Sequence, residues 1–337
     1  MTRTTLLLTQ RDIEQLIDLK TAIRVVREAF KASARGQAVM PPKVYLPLPR
    51  TSDFRAMPAY LERPAACGVK WVNVHPHNRR LGLPTVMAII IINDPRSGFP
   101  LAVMDGLVVT KLRTAAAAAV AADTLARRTS RVVGLVGCGA QADAQVLALA
   151  EVLPLERVKV WGYLPHEAQR FCQRMRGLLS QVRFEPLGTI ESCVREVDVL
   201  VTLTPSRRPL IRRSWVAPGV HINAIGADAP GKQELEWQIL RDATVIVDDR
   251  RQARDAGELN VPIRRGQLSP RKIHATLAEV LIGRMPGRRS PREVTVFDAT
   301  GLAIHDVALG DAIVRRAQHR GVGRRLAFFH PRIDPPH

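Results

Sequence analysis

The 337-residue sequence predicts an α/β protein of two domains. One is an α+β unit with a largely antiparallel sheet, and the other is built on a parallel sheet with right-handed crossovers. Three observations carry this. The length exceeds what one hydrophobic core ordinarily serves. Up to about residue 105 a single helix is followed by a proline-punctuated stretch that reads as strands and turns. From Arg131 onward, short apolar strands alternate with amphipathic helices, the pattern of parallel strands joined by crossovers.

The elements follow in order. Residues 12–34 read as one helix, with Leu16, Ile17, Ala22, Ile23, Val26, Ala29 and Phe30 at helical spacing. Seven prolines, from Pro41 to Pro76, then break any long helix, and residues 43–48 and 68–74 are extended. Residues 85–93 and 100–104 form a hairpin around a turn at 94–98. Residues 110–128 are alanine-rich without Gly or Pro and form a long helix into the second domain. There, Val132–Val136 is a strand, 137–142 a turn, 143–152 a helix and 158–161 the next strand. Further strands are expected at 197–202, 220–225, 244–247 and 294–298. Helices are expected at 166–179, 236–241, 251–256 and 273–281. A last helix, 303–320, lies beyond the alternation and is free to pack back on the N-terminal unit.

Composition narrows the function. Apolar residues make up 46% and charged residues 24%, which excludes a mostly disordered chain. The longest apolar runs, residues 86–92 and 115–122, fall far short of the roughly 18 residues of a membrane span. The first residues hold only three consecutive leucines before charge resumes, so no signal peptide is expected. A net charge of +19 raises the question of nucleic acid. The excess is evenly spread, however: 19 basic and 9 acidic residues through Ser130, 31 and 22 beyond it. Only eight positions are lysine, and aromatics are 4%, too few for base-stacking platforms. Neither nucleic acid nor membrane is expected as a partner. Cys67, Cys138, Cys172 and Cys193 form no C-x-x-C pair, which fits a reducing cytoplasm. His75 and His77 share a strand face without a third ligand, so no metal site is assigned.

The chemistry begins at Gly137-Cys-Gly139-Ala140-Gln141-Ala142, a G-x-G-x-x-A turn after a strand and before a helix. Gly137 allows the tight turn. Gly139 lets a pyrophosphate reach the backbone beside the helix N-terminus, and Ala142 keeps helix and strand close. A dinucleotide site is expected. No carboxylate stands at the end of the second strand, Trp161-Gly-Tyr-Leu164, to bind a ribose 2′-hydroxyl. Arg170 lies a turn further on. The choice between NAD(H) and NADP(H) stays open, leaning to NADP(H).

Several blocks resemble the ornithine cyclodeaminase/mu-crystallin family, and within it the alanine dehydrogenase branch. They are residues 57–61 (MPAYL), 68–73 (GVKWVN), 82–87 (GLPTVM), 113–116 (RTAA), the glycine turn, 226–235 (GADAPGKQEL) and 298–302 (DATGL). The resemblance implies a Rossmann dinucleotide-binding domain, residues 116–304, inserted into an α+β substrate-binding and dimerisation domain, residues 1–115 plus 305–337. It implies a homodimer acting on a small molecule.

The resemblance also implies roles. Lys70 and Arg113 match the family's substrate-carboxylate ligands, and a bidentate guanidinium fork beside a point charge suits a carboxylate. Asp228 matches the acid that works near the nicotinamide on the amino or imino nitrogen. Thr114 matches a phosphate contact. Thr204, Pro205, Gly226, Thr300 and Gly301 fall in loops after strands, where the cofactor crevice forms. Taken singly, a strand lysine snorkels and a helix arginine usually faces solvent; the ordered set favours function.

Two features set this sequence apart. Cyclodeaminases that accept ornithine carry an acid near position 55 for the distal ammonium; here the residue is Arg55, with Asp53 two before it. Lys43 adds another cation to the same pocket. The expected activity is an NAD(P)-dependent amino-acid dehydrogenase or imine reductase with alanine and pyruvate as the leading pair. The alternatives are ornithine cyclodeamination, reduction of a preformed cyclic or dicarboxylic imine, and a non-catalytic binding protein of the mu-crystallin type.

Overall fold

The computed structural model describes residues 3–49 and 52–329. It divides into two compact units. One comprises the described residues of Met1–Arg113 and Ala303–His337, the other Thr114–Leu302.

The first unit is built on a sheet of eight described strands. Its order is Arg324–Leu326, Thr5–Leu8, Pro100–Asp105, Val86–Asn93, Ala66–Val74, Ser52–Leu61 and Ala38–Val39, with Val44–Leu48 also pairing Ser52–Leu61. All pairs are antiparallel except Thr5–Leu8 with Pro100–Asp105. Ser52–Leu61 is a ten-residue strand with Pro58 in its interior. On one side it pairs continuously with Ala66–Val74. On the other, Val44–Leu48 covers Ser52 to Ala56 and Ala38–Val39 covers Tyr60 and Leu61. The proline falls in the gap between them, where a missing N–H costs no ladder bond.

The expected helix over 12–34 is in fact two, Gln10–Leu16 and Leu19–Ala34. Ile17 is extended, and the Asp18 carboxylate restarts the second helix by accepting from the Thr21 N–H at 2.7 Å. Period-two alternation gives the sheet a buried face bearing Arg55, Met57, Leu61, Lys70, Ile90 and Ile92. The helix Ala303–Arg320 packs on this face, beside Leu19–Ala34. Its Gly310 lies so close to Ile92 that a Cβ would sit 2.7 Å from Ile92 Cδ1. The opposite face leaves Val44, Leu46, Trp71 and Ile89 exposed.

The helix Gly106–Leu125 starts four residues before the expected position because Asp105 caps it, accepting from the Leu107 and Val108 N–H groups at 3.0 Å. It contributes to the first unit through Arg113 and to the second from Thr114.

The second unit holds eight parallel strands. The order is Arg183–Pro186, Arg157–Trp161, Val132–Val136, Val199–Thr202, His221–Ala224, Thr295–Asp298, Thr244–Val247 and Ile273–Thr276. Counted along the chain, that is 3-2-1-4-5-8-6-7, a doubly wound Rossmann sheet. Its direction of growth reverses between Val132–Val136 and Val199–Thr202. Strand residues such as Leu200, Ile222, Val245 and Val296 are fully buried, each contributing about 1.5–3 kcal/mol. The helix expected over 273–281 is a strand, Ile273–Thr276, followed by a short helix, Leu277–Leu281. Ile273 and Ala275 alternate into the core, and the Thr276–Glu279 capping box delays the helix to Leu277.

Candidate functional site

In the first unit the pairing of Ala66–Val74 with Ser52–Leu61 and Val86–Asn93 sets Lys70 between Met57 and Ile90, beneath the helix Ala303–Arg320. Lys70 is 1% exposed. Its Nζ lies 2.7 Å from Asp306 Oδ2, and Asp306 is itself fully buried. Arg113 Nε donates to the other carboxylate oxygen, Oδ1, at 3.2 Å. Thr110 Oγ1 accepts from Lys70 at 3.4 Å. One buried carboxylate thus gathers two buried cations, giving a local charge of +1.

The electrostatics follow. Burial and then Arg113 pull Lys70 down from 10.5 to about 7, against the upward pull of Asp306. Burial pushes the Asp306 carboxyl up, but Lys70 and Arg113 outweigh it and hold the group below the usual carboxylate range. His305, beside it, packs edge-on to Phe30 at 4.3 Å between ring centroids. Burial, with Arg113 next, drops His305 to about 3, so the ring is neutral, and its nitrogens meet no hydrogen-bond partner among the described residues.

Arg55 faces the same side of the sheet as Lys70. Its guanidinium grips Asp53 through both oxygens, at 2.7 and 3.1 Å, and lies 5.2 Å from the Tyr45 ring. Lys43 is half-buried, and its charge is felt at Lys70. His75 Nδ1 meets the Asn73 amide at 2.9 Å, and its ring lies edge-on to Phe54. Among the described residues no group of three His, Cys, Asp or Glu is arranged to hold a metal.

In the second unit the glycine turn lies at the sheet's switch point. Gly137 has φ +101°, and a Cβ there would press on Leu203 and Thr204 at 3.2 Å. Around Gly139 a Cβ would meet nothing within 4 Å, so the backbone is open to a ligand. Ala140 is exposed and Ala142 is fully buried at the start of the helix Ala142–Ala150. Gln141 caps that helix without a side-chain hydrogen bond, and its Oε1 is buried without a partner among the described residues. Open N–H groups at a helix end beside a bare glycine fit a dinucleotide pyrophosphate.

Thr204 and Pro205 follow Val199–Thr202, and Gly226 follows His221–Ala224. Thr300 and Gly301 follow Thr295–Asp298, where their N–H groups donate to Asp248 Oδ2 at 2.7 and 2.6 Å. Asp228 is paired with Lys232 at 2.5 Å. Thr114 is the first residue of this unit, inside the helix Gly106–Leu125.

Asp306, Asp248, Lys232 and Glu234 join these surroundings without an individual signal in the sequence. Asp306 is four residues past the 298–302 block, and only the packing of its helix reveals what it meets. The other three look like loop and turn residues when read singly.

The model of the ornithine cyclodeaminase/mu-crystallin family matches residues 3–321. The chain belongs to that family. It is similar to an alanine dehydrogenase of Archaeoglobus fulgidus, 48% identical over 328 residues that make up 96% of this chain and 99% of that one. It is also similar to a Delta(1)-pyrroline-2-carboxylate reductase of Bacillus cereus, 30% identical over 96% of this chain and all of that protein. Among solved structures, an archaeal alanine dehydrogenase dimer with bound NAD superposes with a TM-score of 0.93. It is 46% identical and covers 97% of this chain and 100% of its own.

Proposed function

We propose that this protein is an NAD(P)-dependent amino-acid dehydrogenase that interconverts L-alanine, NAD(P)+ and water with pyruvate, ammonia and NAD(P)H. The observation that carries the reading is the buried Lys70–Asp306–Arg113 cluster. With Lys70 protonated its net charge of +1 suits one carboxylate, and its low-dielectric setting strengthens the attraction. Arg113 offers the guanidinium fork and Lys70 the point charge.

A nicotinamide dinucleotide, when bound, supplies the hydride acceptor or donor. Gly137, Gly139, Ala140, Gln141 and Ala142 would hold its pyrophosphate, with Thr114, Thr204, Pro205, Gly226, Thr300 and Gly301 as further contacts. Asp228 takes a proton from the substrate ammonium in the oxidative direction, so that the free amine can lose hydride and become an iminium ion, and it returns that proton to the amine in the reverse. Once it has released the proton to solvent, Asp228 is again a base and deprotonates the water that adds to the iminium carbon. Lys70 and Arg113 keep the carboxylate fixed throughout, so the reacting carbon keeps one orientation.

Alanine is favoured over longer partners by the state of Asp53 and Arg55. Asp53 is consumed by the Arg55 fork, which removes the acid that a distal ornithine ammonium needs. The same pair neutralises Arg55 toward a second substrate carboxylate. A cyclic imino acid has one carboxylate too, and the full-length similarity to a pyrroline-2-carboxylate reductase makes reduction of such an imine the second reading.

The cofactor's 2′ group rests on the loop Gly162–Leu164 and Arg170: no carboxylate there favours NADP(H), while the NAD in the similar archaeal enzyme favours NAD(H). A homodimer is supported by the exposed apolar side chains Val44, Leu46, Trp71 and Ile89 on one sheet face, and by that relative's dimeric state. The described cysteines are free thiols, which suits a cytoplasmic setting.

The test is absorbance at 340 nm with a panel of 2-oxo acids plus ammonium, and pyrroline-2-carboxylate alone, each with NADH and NADPH. Turnover of pyruvate with ammonium supports the proposal. Turnover of the cyclic imine without any of pyruvate replaces it with the second reading.

A further inference from the structure

Three buried carboxyls lie at the carboxyl edge of the parallel sheet without a role in the chemistry above. Asp298 accepts from the N–H groups of Glu258 at 2.9 Å and Leu259 at 3.4 Å, one on each oxygen. Glu258 accepts from the N–H groups of Glu234, at 2.9 and 3.2 Å, and Leu235, at 3.0 Å. Glu234 in turn takes the Thr204 N–H and hydroxyl on Oε1, both at 2.7 Å, and the Gly226 N–H on Oε2 at 3.0 Å. Each carboxyl grips the backbone of the segment that carries the next one. The series ends on two loops that follow neighbouring strands.

We propose that Glu234 is a positioning residue for the dinucleotide site: it locks the Thr204 and Gly226 loops to each other, with Glu258 and Asp298 fixing Glu234 from behind. This rests on reading the glycine turn as a dinucleotide site. Four observations carry it. None of the three acids forms an ion pair with a Lys or Arg among the described residues, so gripping N–H groups is their role rather than charge pairing. Each uses both oxygens as acceptors, which a Gln or Asn cannot do, because its NH2 would face an N–H.

The glycines beside them are fitted to this arrangement. A Cβ on Gly226 would lie 2.3 Å from Glu234 Oε2 and 2.2 Å from Thr204 O, and a Cβ on Gly257 2.3 Å from Asp298 Oδ2. The glycine of the 226–235 block is therefore explained by the approach of Glu234. Finally, the lock bears on the site itself. Thr204 packs under Gly137, and Gly226 stands two residues before Asp228.

The test combines hydrogen exchange with NADH titration. In the wild-type protein, the Thr204, Gly226, Glu234 and Leu235 amides exchange as slowly as the adjoining strands, although they lie outside them. Exchange at exposed-loop rates overturns the proposal, and this measurement needs no variant. Glu234→Gln speeds exchange at Thr204 and Gly226 and weakens NADH binding by about ten- to hundredfold, from the lost and opposed hydrogen bonds. The KM for pyruvate stays within twofold, because Lys70 and Arg113 belong to the other unit. A folded Glu234→Gln protein with unchanged exchange and NADH affinity overturns the proposal. A wild-type protein that binds neither NADH nor NADPH sinks the dinucleotide reading instead, and the wild-type exchange pattern still decides whether the lock exists.

Discussion

Asp306→Asn isolates the charge that organises the cluster of the first unit. Asn keeps the size of Asp306 and one carbonyl acceptor, so the change removes charge with little change of shape. The carboxylate lies 2.7 Å from Lys70 and 3.2 Å from Arg113, with all three groups buried. A unit charge pair at 4 Å is worth about 4 kcal/mol at an effective dielectric constant near 20. Removing one partner of a buried pair costs about 3–5 kcal/mol. Lys70, already lowered to about 7, relieves part of this by losing its proton, so the lower end applies. A loss of about 3 kcal/mol lowers Tm by about 6–12 °C for a unit of this size.

The functional effect has a definite sign. Asp306 raises the Lys70 pKa, so its removal lowers it further, and at pH 6.5, where Lys70 of the wild type is still mostly charged, Lys70 of the variant becomes neutral. The carboxylate loses one of its two ligands, and KM for pyruvate rises about a hundredfold, the equivalent of about 3 kcal/mol. The alkaline limb of kcat/KM, which reports the free enzyme, moves from near pH 7 to lower pH, and acidifying the assay restores part of the loss. The assay is NAD(P)H oxidation at 340 nm with pyruvate and ammonium across pH 6–9, beside a thermal melt. A variant whose KM stays within twofold and whose limb does not move refutes the reasoning.

Other expectations follow from the same geometry. Asp228→Asn abolishes turnover while NADH fluorescence still reports binding, and full activity contradicts its assigned role. Arg113→Lys keeps the charge but loses the fork, raising KM for pyruvate about tenfold with a smaller change in kcat; an unchanged KM removes Arg113 from the carboxylate site. Lys70 titrates at about 7 in the fold and 10.5 when unfolded, so between those pH values the unfolded chain binds more protons and Lys70 makes stability rise with pH. Lys70→Met therefore flattens the rise in urea midpoint from pH 7 to 9, and an unaltered slope contradicts the lowered pKa.

Much of the fold was legible because local pattern and tertiary role agree there. Val132–Val136 and Thr244–Val247 are short apolar runs bounded by turn residues, and they form strands where the pattern places them. The reading failed where a neighbour overrides the local signal. Pro58 sits inside a strand because its edge lacks a partner there. Ile273–Thr276 is a strand because it adds to the sheet edge beside Thr244–Val247.

The candidate site divides in the same way. Lys70, Arg113, Asp228 and the glycine turn stand in recognisable blocks. Asp306 gives no local signal, because its partners are 236 and 193 positions away in the chain. Glu234 reads as part of a turn-rich block, and only the folded sheet edge gives it Thr204 and Gly226. Part of the conspicuous +19 charge also changes meaning. Among the positive residues of the first unit, Lys70, Arg113 and Arg55 are each matched to a buried or half-buried carboxylate.

The most direct measurement is the product balance with L-alanine and NAD+ or NADP+ as sole substrates. Equal amounts of NAD(P)H, pyruvate and ammonia are expected, with turnover lost in Asp228→Asn. No change at 340 nm with alanine, or ammonia released from ornithine without any such change, contradicts the proposed function.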